Sequence, residues 1–477
     1  MLNKATAGAK RLLELPRSSN LISSTSIRGP PFCARVATAS VRLQHSPAKP
    51  ASSAAPSSRN TTTGHLWTRV KPEASAKRLA AVSTQANSDL ADVIGTTTRI
   101  ENRKISVTFV DGQETAYNFI WLRDHCRCPK CHHTITKQRL VDTFSIPGDI
   151  RPSSVVTDDL NDTLIITWSH DNHQSIFPLS FLRQHSYAPS LPERPALRHK
   201  VLWNASLADA LPITRFEDVM NSDQGLAQWL LHLDVYGFGI VDGCPPAAAE
   251  TEKLVQRIAF LRRTHYGDFW DFTADLEHGD TAYTAMALPA HTDNTYFTDP
   301  AGLQIFHMIE NTCEGGKSLY VDGFHVANEL ARRHPWAYKA LSTIRTPAHA
   351  AGDPTQIIMP KPSAHPLLNI DPATSQLYQI RFNNDDRSVL DSLSSEEVEL
   401  YYDALREWTR LVRSPDNELW MQLYPGRVVA MDNWRVMHGR SGFGPGIRRI
   451  CGAYVGNDDW TSRMRVVLDK SEARKRI

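Results

Sequence analysis

A chain of 477 residues is long enough for two domains and an appendage. With 41% hydrophobic and 22% charged residues it can build a proper core, and a net charge of +2 gives no reason to expect nucleic acid as a partner. No run approaches the roughly 18 apolar residues of a membrane span, so no membrane partner is expected.

The first segment has its own composition. From Met1 to Gln85 there are thirteen Lys or Arg residues and only two acids, Glu14 and Glu73, among many Ser, Thr, Ala and Pro. Basic, Ser-rich and acid-poor is the make-up of an organelle transit peptide, and a plain disordered tail is the competing reading. Residues 1–90 are therefore expected to be a mitochondrial transit peptide and disordered segment, which puts the protein in the matrix.

Residues 91–190 read as a small β-rich domain. "TRIENRKISVTFVDGQETAYNFIWLRDHC" alternates apolar and polar positions around Asp111-Gly112, a hairpin signal, and "DTLIITWSHDNHQSIFPLSFLRQH" reads as a strand pair and a short helix. Seven cysteines is an odd number, and three crowd into "CRCPKC", which suits a metal or free thiols better than a disulfide framework. The Pro-rich residues 186–200 look like a linker, and no internal repeat is evident.

Residues 195–477 open with a helical pattern, "NSDQGLAQWLLHLDVYG", in which Gly237 can end the helix, and a buried strand "FGIVDG" follows. Short strands come next, then a helical pattern in "SEEVELYYDALREWTRLVRSP", then the strand-like "RVVAMDNWRVMHGR" and "RRICGAYVG". Many strands with a few helices suggest a sandwich or jelly roll.

Three His-x-Asp triplets stand out: His232/Asp234, His278/Asp280 and His291/Asp293. Two histidines and a carboxylate on one face of Fe(II) leave three positions for co-substrate and oxygen. His232 and Asp234 lie in a helical pattern, where residues two apart point about 200° away from each other. His278 and Asp280 lie in a polar loop, whereas His291 and Asp293 sit where a strand meets a turn. Spacing alone does not choose among them.

Downstream come "CEGGKSLYVDGF" and "PGRVVAMDNWRVMHGRSGFGPGIRRICGAY", the latter with His438, Arg440 and Arg448. Here the chain resembles the Fe(II)/2-oxoglutarate oxygenases of the γ-butyrobetaine and trimethyllysine hydroxylase family. "WLRDHCRCPKC", "HTDNTYF", "GLQIFH", "GGKSLYVDG", "FNNDDR" and "DNWRVMHGR" follow the family's order over nearly all of residues 100–465. The resemblance implies a mainly β fold with added helices: a double-stranded β-helix (jelly roll) catalytic domain plus the small β-rich N-terminal domain.

It also implies the site. Iron falls on His291, Asp293 and His438. The distal carboxylate of 2-oxoglutarate falls to Arg448, a planar guanidinium suited to a carboxylate, with Ser318 beside it in the Gly-Gly motif. A quaternary ammonium has no N–H to donate, so aromatic faces bind it. The matching positions are Tyr266, Trp270, Tyr283 and Tyr454, with Tyr296 as pocket wall. Arg440 is a further candidate for contact with substrate or the succinate side, and Arg449 is expected to face solvent.

At the other end of the substrate, Asp280 stands where butyrobetaine enzymes look to have asparagine. An anion there favours an α-ammonium and repels a bare carboxylate. Asn383 and Asn384 are candidates for the amino-acid carboxylate. The resemblance thus implies hydroxylation of N6,N6,N6-trimethyl-L-lysine at carbon 3 with O2 and 2-oxoglutarate, giving succinate and CO2, the first step of carnitine biosynthesis. Ascorbate as reductant and a homodimer belong to the same expectation. Cys126, Cys128 and Cys131 with His173 match a structural zinc site; His125, His132, His133 and His170 are nearby competitors. The alternatives are a γ-butyrobetaine dioxygenase, a dioxygenase for small sulfonates, and a catalytically dead scaffold.

Overall fold

The computed structural model describes residues 95–191, 200–273 and 284–468. The expected transit segment lies outside the described residues, as do Asp280 and Tyr283.

In the small domain, β1 (Thr97–Glu101), β2 (Lys104–Thr108) and β3 (Glu114–Asn118) form an antiparallel meander that runs into α1 (Phe119–Asp124). The same succession follows in β4 (Pro152–Asp158), β5 (Thr163–Trp168), β6 (Gln174–Pro178) and α2 (Leu179–Gln184). A repeat absent from the sequence reading is therefore present in the fold: one β-β-β-α unit occurs twice. Leu122 and Leu182 are buried at matching positions of the two helices, and each helix ends on a histidine packed on an aromatic ring one turn earlier. The Trp121–His125 and Phe181–His185 ring centroids are both 4.4 Å apart. Period-2 alternation buries Ile105 and Val107 from β2 against Leu164, Ile166 and Trp168 from β5, which closes one core between the two units.

The catalytic domain begins with β7 (Ile213–Arg215), α3 (Phe216–Asn221), α4 (Asp223–Tyr236), β8 (Phe238–Asp242), α5 (Ala248–Ile258), β9 (Trp270–Phe272) and β10 (Leu288–His291). It continues through β11 (Leu303–Asn311), β12 (Ser318–Asp322), α6 (Gly323–Arg333), α7 (Pro335–Thr343) and two small hairpin pairs. These pair β13 (Arg345–Pro347) with β14 (Ala364–Pro366), and β15 (Leu368–Ile370) with β16 (Leu377–Ile380). Then come α8 (Ser395–Val412), β17 (Leu419–Met421), β18 (Arg427–Asp432), β19 (Val436–Arg440), β20 (Arg448–Val455) and α9 (Asn457–Leu468). As the sequence suggests, α4 stops at Gly237, whose φ of 68° is left-handed and open to glycine at little cost.

Two sheets make the jelly roll. The larger has the order β7-β8-β18-β11-β20-β9, the smaller β10-β19-β12-β17. Strand alternation assigns each side chain its layer. Val429 and Met431 of β18 face Tyr320 of β12 and Leu419 of β17 between the sheets, while Val428 and Ala430 face outward under Trp229, Leu230 and Leu254 of α4 and α5. The outer face of the smaller sheet, Leu319 and Val321, is covered by Leu330, Leu341 and Trp408 from α6, α7 and α8. The inter-sheet layer is where the catalytic side chains emerge.

Candidate active site

Three elements bring the metal-ligand set together. His291 at the end of β10 is the cross-strand partner of His438 on β19, and the two rings lie 4.4 Å apart between centroids. Just past β10 the chain turns at Asn294, with φ of 59°, which lets Asp293 swing back toward both histidines. His291 Nε2 is 3.2 Å, and His438 Nε2 3.6 Å, from Asp293 Oδ1. His291 Nδ1 bonds the Pro289 carbonyl at 2.8 Å, which fixes the tautomer and leaves Nε2 as the ligating atom. A carboxylate and two imidazoles whose donor atoms all lie within 4.8 Å of one another fit a ferrous ion held on one face.

The carboxylate is braced on every side. Its backbone N–H donates to Asn433 Oδ1 at 2.8 Å, and Asn433 Nδ2 returns bonds of 3.0 Å to the Asp293 and Ala301 carbonyls. Its second oxygen, Oδ2, accepts from Gln304 Nε2 at 2.5 Å and Tyr454 Oη at 2.6 Å. Gln304 and Tyr454 are themselves cross-strand partners on β11 and β20, so one sheet position aims both donors at one atom. The sequence reading quoted the motifs around Gln304 and Asn433 but missed the residues. A buried, uncharged amide in the otherwise apolar start of "LQIFHMIEN" is the signal that could have found Gln304.

The electrostatics follow from this crowding. Burial works against the charge of Asp293, yet the fields of His438 and His291 and the bonds to its oxygens hold its pKa well below the usual carboxylate range. Burial also opposes charging His291, but the bond and field of Asp293 outweigh it and raise it to about 9. For His438 burial wins, and its pKa falls to about 3.

At the far end of the inter-sheet cavity stands Arg448 on β20. It is buried, burial lowers its pKa, its Nε has no hydrogen bond, and no acid pairs with it among the described residues. A desolvated guanidinium without a protein carboxylate fits a carboxylate supplied by a ligand. Gly316, at φ of 62°, makes the space: a Cβ there would come within 3.1 Å of Arg448 Nε. Ser318 on β12 lies in the same wall, so the residues present suit 2-oxoglutarate reaching from iron to Arg448.

One cavity of about 150 Å³ joins these groups to Tyr266, Trp270, Phe306, Asn383, Asp385 and Asp386. Trp270 packs edge-on to Tyr454 with centroids 6.1 Å apart, and Tyr266 Oη meets Tyr296 Oη at 3.2 Å. Tyr454, expected as a cage wall only, thus also holds the Asp293 carboxylate. Asn384 does not line this cavity: it is exposed and borders a neighbouring hollow, which Asn383 also lines. In its place, two acids the sequence reading passed over, Asp385 and Asp386, border the cavity. Arg440 lines it too, but its guanidinium is engaged by the carbonyls of Met286 (3.2 Å) and Thr284. Arg449 points away and pairs with Asp271 at 2.6 and 2.8 Å. The competing pair separates as helix geometry requires: Asp234 pairs with Lys200 at 2.5 Å, and His232 contacts Thr214.

A second cluster sits in the small domain. Cys126, Cys128 and Cys131 Sγ lie 3.3, 3.6 and 3.6 Å from His173 Nε2. Tetrahedral zinc with bonds of about 2.0–2.3 Å spaces its ligands by about 3.5 Å, so this donor set fits. Burial raises the Cys126 thiol, and the Cys131 thiol to about 12, so a nearby dication is what would favour the thiolates. Arg123 donates to Cys131 Sγ at 3.4 Å and to Asp171, which caps the His173 backbone N–H at 3.0 Å. The nearby histidines are otherwise engaged: His125 with Trp121, His132 with Arg127, His133 with Thr136.

A jelly roll carrying a His-Asp-His face and, across one cavity, a buried arginine with no acid partner among the described residues defines an iron- and 2-oxoglutarate-dependent dioxygenase. The chain belongs to the taurine catabolism dioxygenase TauD, TfdA family, whose model matches residues 198–454; a γ-butyrobetaine hydroxylase-like N-terminal model matches residues 96–183. Among curated proteins it is 42% identical to trimethyllysine dioxygenase of Neurospora crassa, over 74% of this chain and 81% of that one. It is 39% identical to the mitochondrial trimethyllysine dioxygenase of Rattus norvegicus, over 74% and 82%. The γ-butyrobetaine dioxygenase of Homo sapiens is 30% identical over 77% and 95%.

Proposed function

We propose that this dioxygenase hydroxylates N6,N6,N6-trimethyl-L-lysine at carbon 3. The observation that carries the reading is a single cavity in which aromatic faces, Tyr266 and Trp270, share walls with the His291/Asp293/His438 set and with both acid and amide groups on the segment 383–386. The greater likeness to trimethyllysine dioxygenases than to the γ-butyrobetaine enzyme supports it.

When bound, iron and 2-oxoglutarate would supply, together with O2, the oxidant that replaces C–H by C–OH, one oxygen atom of O2 ending in the hydroxyl and the other in the succinate formed as CO2 leaves. The protein's part is positioning. Arg448 and Ser318 hold the co-substrate's distal carboxylate, and Tyr266, Trp270 and Tyr454, with Tyr283, face the trimethylammonium. Gln304, Tyr454 and Asn433 keep Asp293 in one orientation. Asp280 and Asn383 remain assigned to the amino-acid end. Structural zinc on Cys126, Cys128, Cys131 and His173, import into the mitochondrial matrix, ascorbate as reductant and a homodimer complete the proposal, the last two on family resemblance alone. No helix among the described residues is long and apolar enough to cross a membrane.

The test is paired turnover of trimethyllysine and γ-butyrobetaine with iron and 2-oxoglutarate, followed by mass. Trimethyllysine is expected to gain one oxygen and to be preferred. Faster conversion of γ-butyrobetaine overturns the substrate assignment, and full activity of His291→Ala overturns the iron site.

A further inference from the structure

Reaction at carbon 3 constrains where the amino-acid head must lie. Carbon 3 is bonded to the α-carbon, so the α-ammonium sits two bonds from the reacting atom and beside the iron, while the trimethylammonium is three carbons away. Whatever anion recognises the α-ammonium must therefore stand close to the metal ligands.

Asp386 meets that condition. It borders the catalytic cavity, and its Oδ2 accepts from Thr295 Oγ1 at 2.9 Å, which ties it to the turn that carries Asp293. Its field reaches the ring of His291. Its backbone is fixed as well, since its carbonyl accepts from His349 N at 2.9 Å. Asn383, three residues earlier, borders the same cavity, and its Oδ1 accepts the Asp385 backbone N–H at 3.0 Å. A backbone N–H can only donate, so the amide is oriented with its Nδ2 donors left over.

We infer that Asp386 and Asn383 together recognise the zwitterionic head of the substrate: the Asp386 carboxylate takes the α-ammonium and Asn383 Nδ2 donates to the α-carboxylate. This rests on trimethyllysine being the substrate and places recognition of its α-ammonium in the "FNNDDR" turn. A substrate with a carboxylate but no α-ammonium brings only like charge toward Asp386, which penalises it.

The test compares trimethyllysine with its deamino analogue, 6-(trimethylammonio)hexanoate, in the iron-loaded full chain with 2-oxoglutarate. Asp386→Asn keeps shape and an acceptor for Thr295 and removes the charge. It should lower kcat/KM for trimethyllysine about 10–100-fold, mostly through KM, the size of a lost charge-assisted bond. The analogue should be turned over as well as by the wild type or better, and calorimetric binding of trimethyllysine should weaken in parallel. Equal losses on both substrates would make Asp386 merely structural and overturn the inference. So would selectivity lost in Asp280→Asn but kept in Asp386→Asn. A wild-type enzyme that leaves trimethyllysine unreacted overturns the substrate reading as well, a distinct result.

Discussion

Tyr454 joins two tasks in one side chain, its hydroxyl on Asp293 Oδ2 and its ring against Trp270. Tyr454→Phe separates them, because it deletes the donor and keeps the aromatic face. Metal affinity should fall about 10–100-fold, as for other groups that orient a ligand, and the KM for trimethyllysine should move little. Calorimetric titration with Fe(II) or Mn(II) under anaerobic conditions reads the first quantity; unchanged affinity would mean Gln304 alone holds the carboxylate. The same residue marks the limit of the sequence. Residue types at motif positions placed Tyr454 in the pocket, but which atom its hydroxyl meets depends on the β11–β20 register pairing it with Gln304. His438 likewise became readable as a partner of His291 through motif order, whereas the cross-strand contact that joins them is a property of the folded sheet.

At the scale of elements, alternation and capping carried most of the legible structure. Gly237 stops α4, and α8 begins where Ser394 and Glu397 form a capping box. The duplicated unit of the small domain was invisible because "FIWLRDH" and "LSFLRQH" keep only a leucine, an arginine and a histidine in common, the groups that pack or cap. Only one copy carries the thiols, at the end of α1, and the fourth donor comes from the β5–β6 turn of the other. A metal there would staple the two units to each other. His173→Ala should therefore reduce zinc from about one ion per chain to near none by atomic absorption and expose small-domain sites to limited proteolysis. Retained zinc would sink the four-ligand assignment.

Across the whole molecule, one buried ion pair ties the jelly roll to its helical coat. Arg435, 1% exposed, donates to both oxygens of Asp322, 0% exposed, at 2.8 and 3.0 Å. Its remaining donors reach the Val235 carbonyl at the end of α4, at 2.9 Å, and the Val201 carbonyl at 2.6 Å. Asp322 in turn accepts the Trp203 N–H and caps the first turn of α6 at 3.0 Å. The small sheet, α4, α6 and the segment entering the domain thus share one charge centre, its arginine three residues before His438 on β19. Arg435→Met keeps volume but strands a carboxylate in the core, which costs about 3–5 kcal/mol and should appear as a lower chemical-denaturation midpoint. Adding Asp322→Asn, which keeps the cap on α6, should recover part of that loss because the unpaired charge is gone. Penalties that simply add in the double variant would show that the two residues act independently, and that the site is held by packing without this brace.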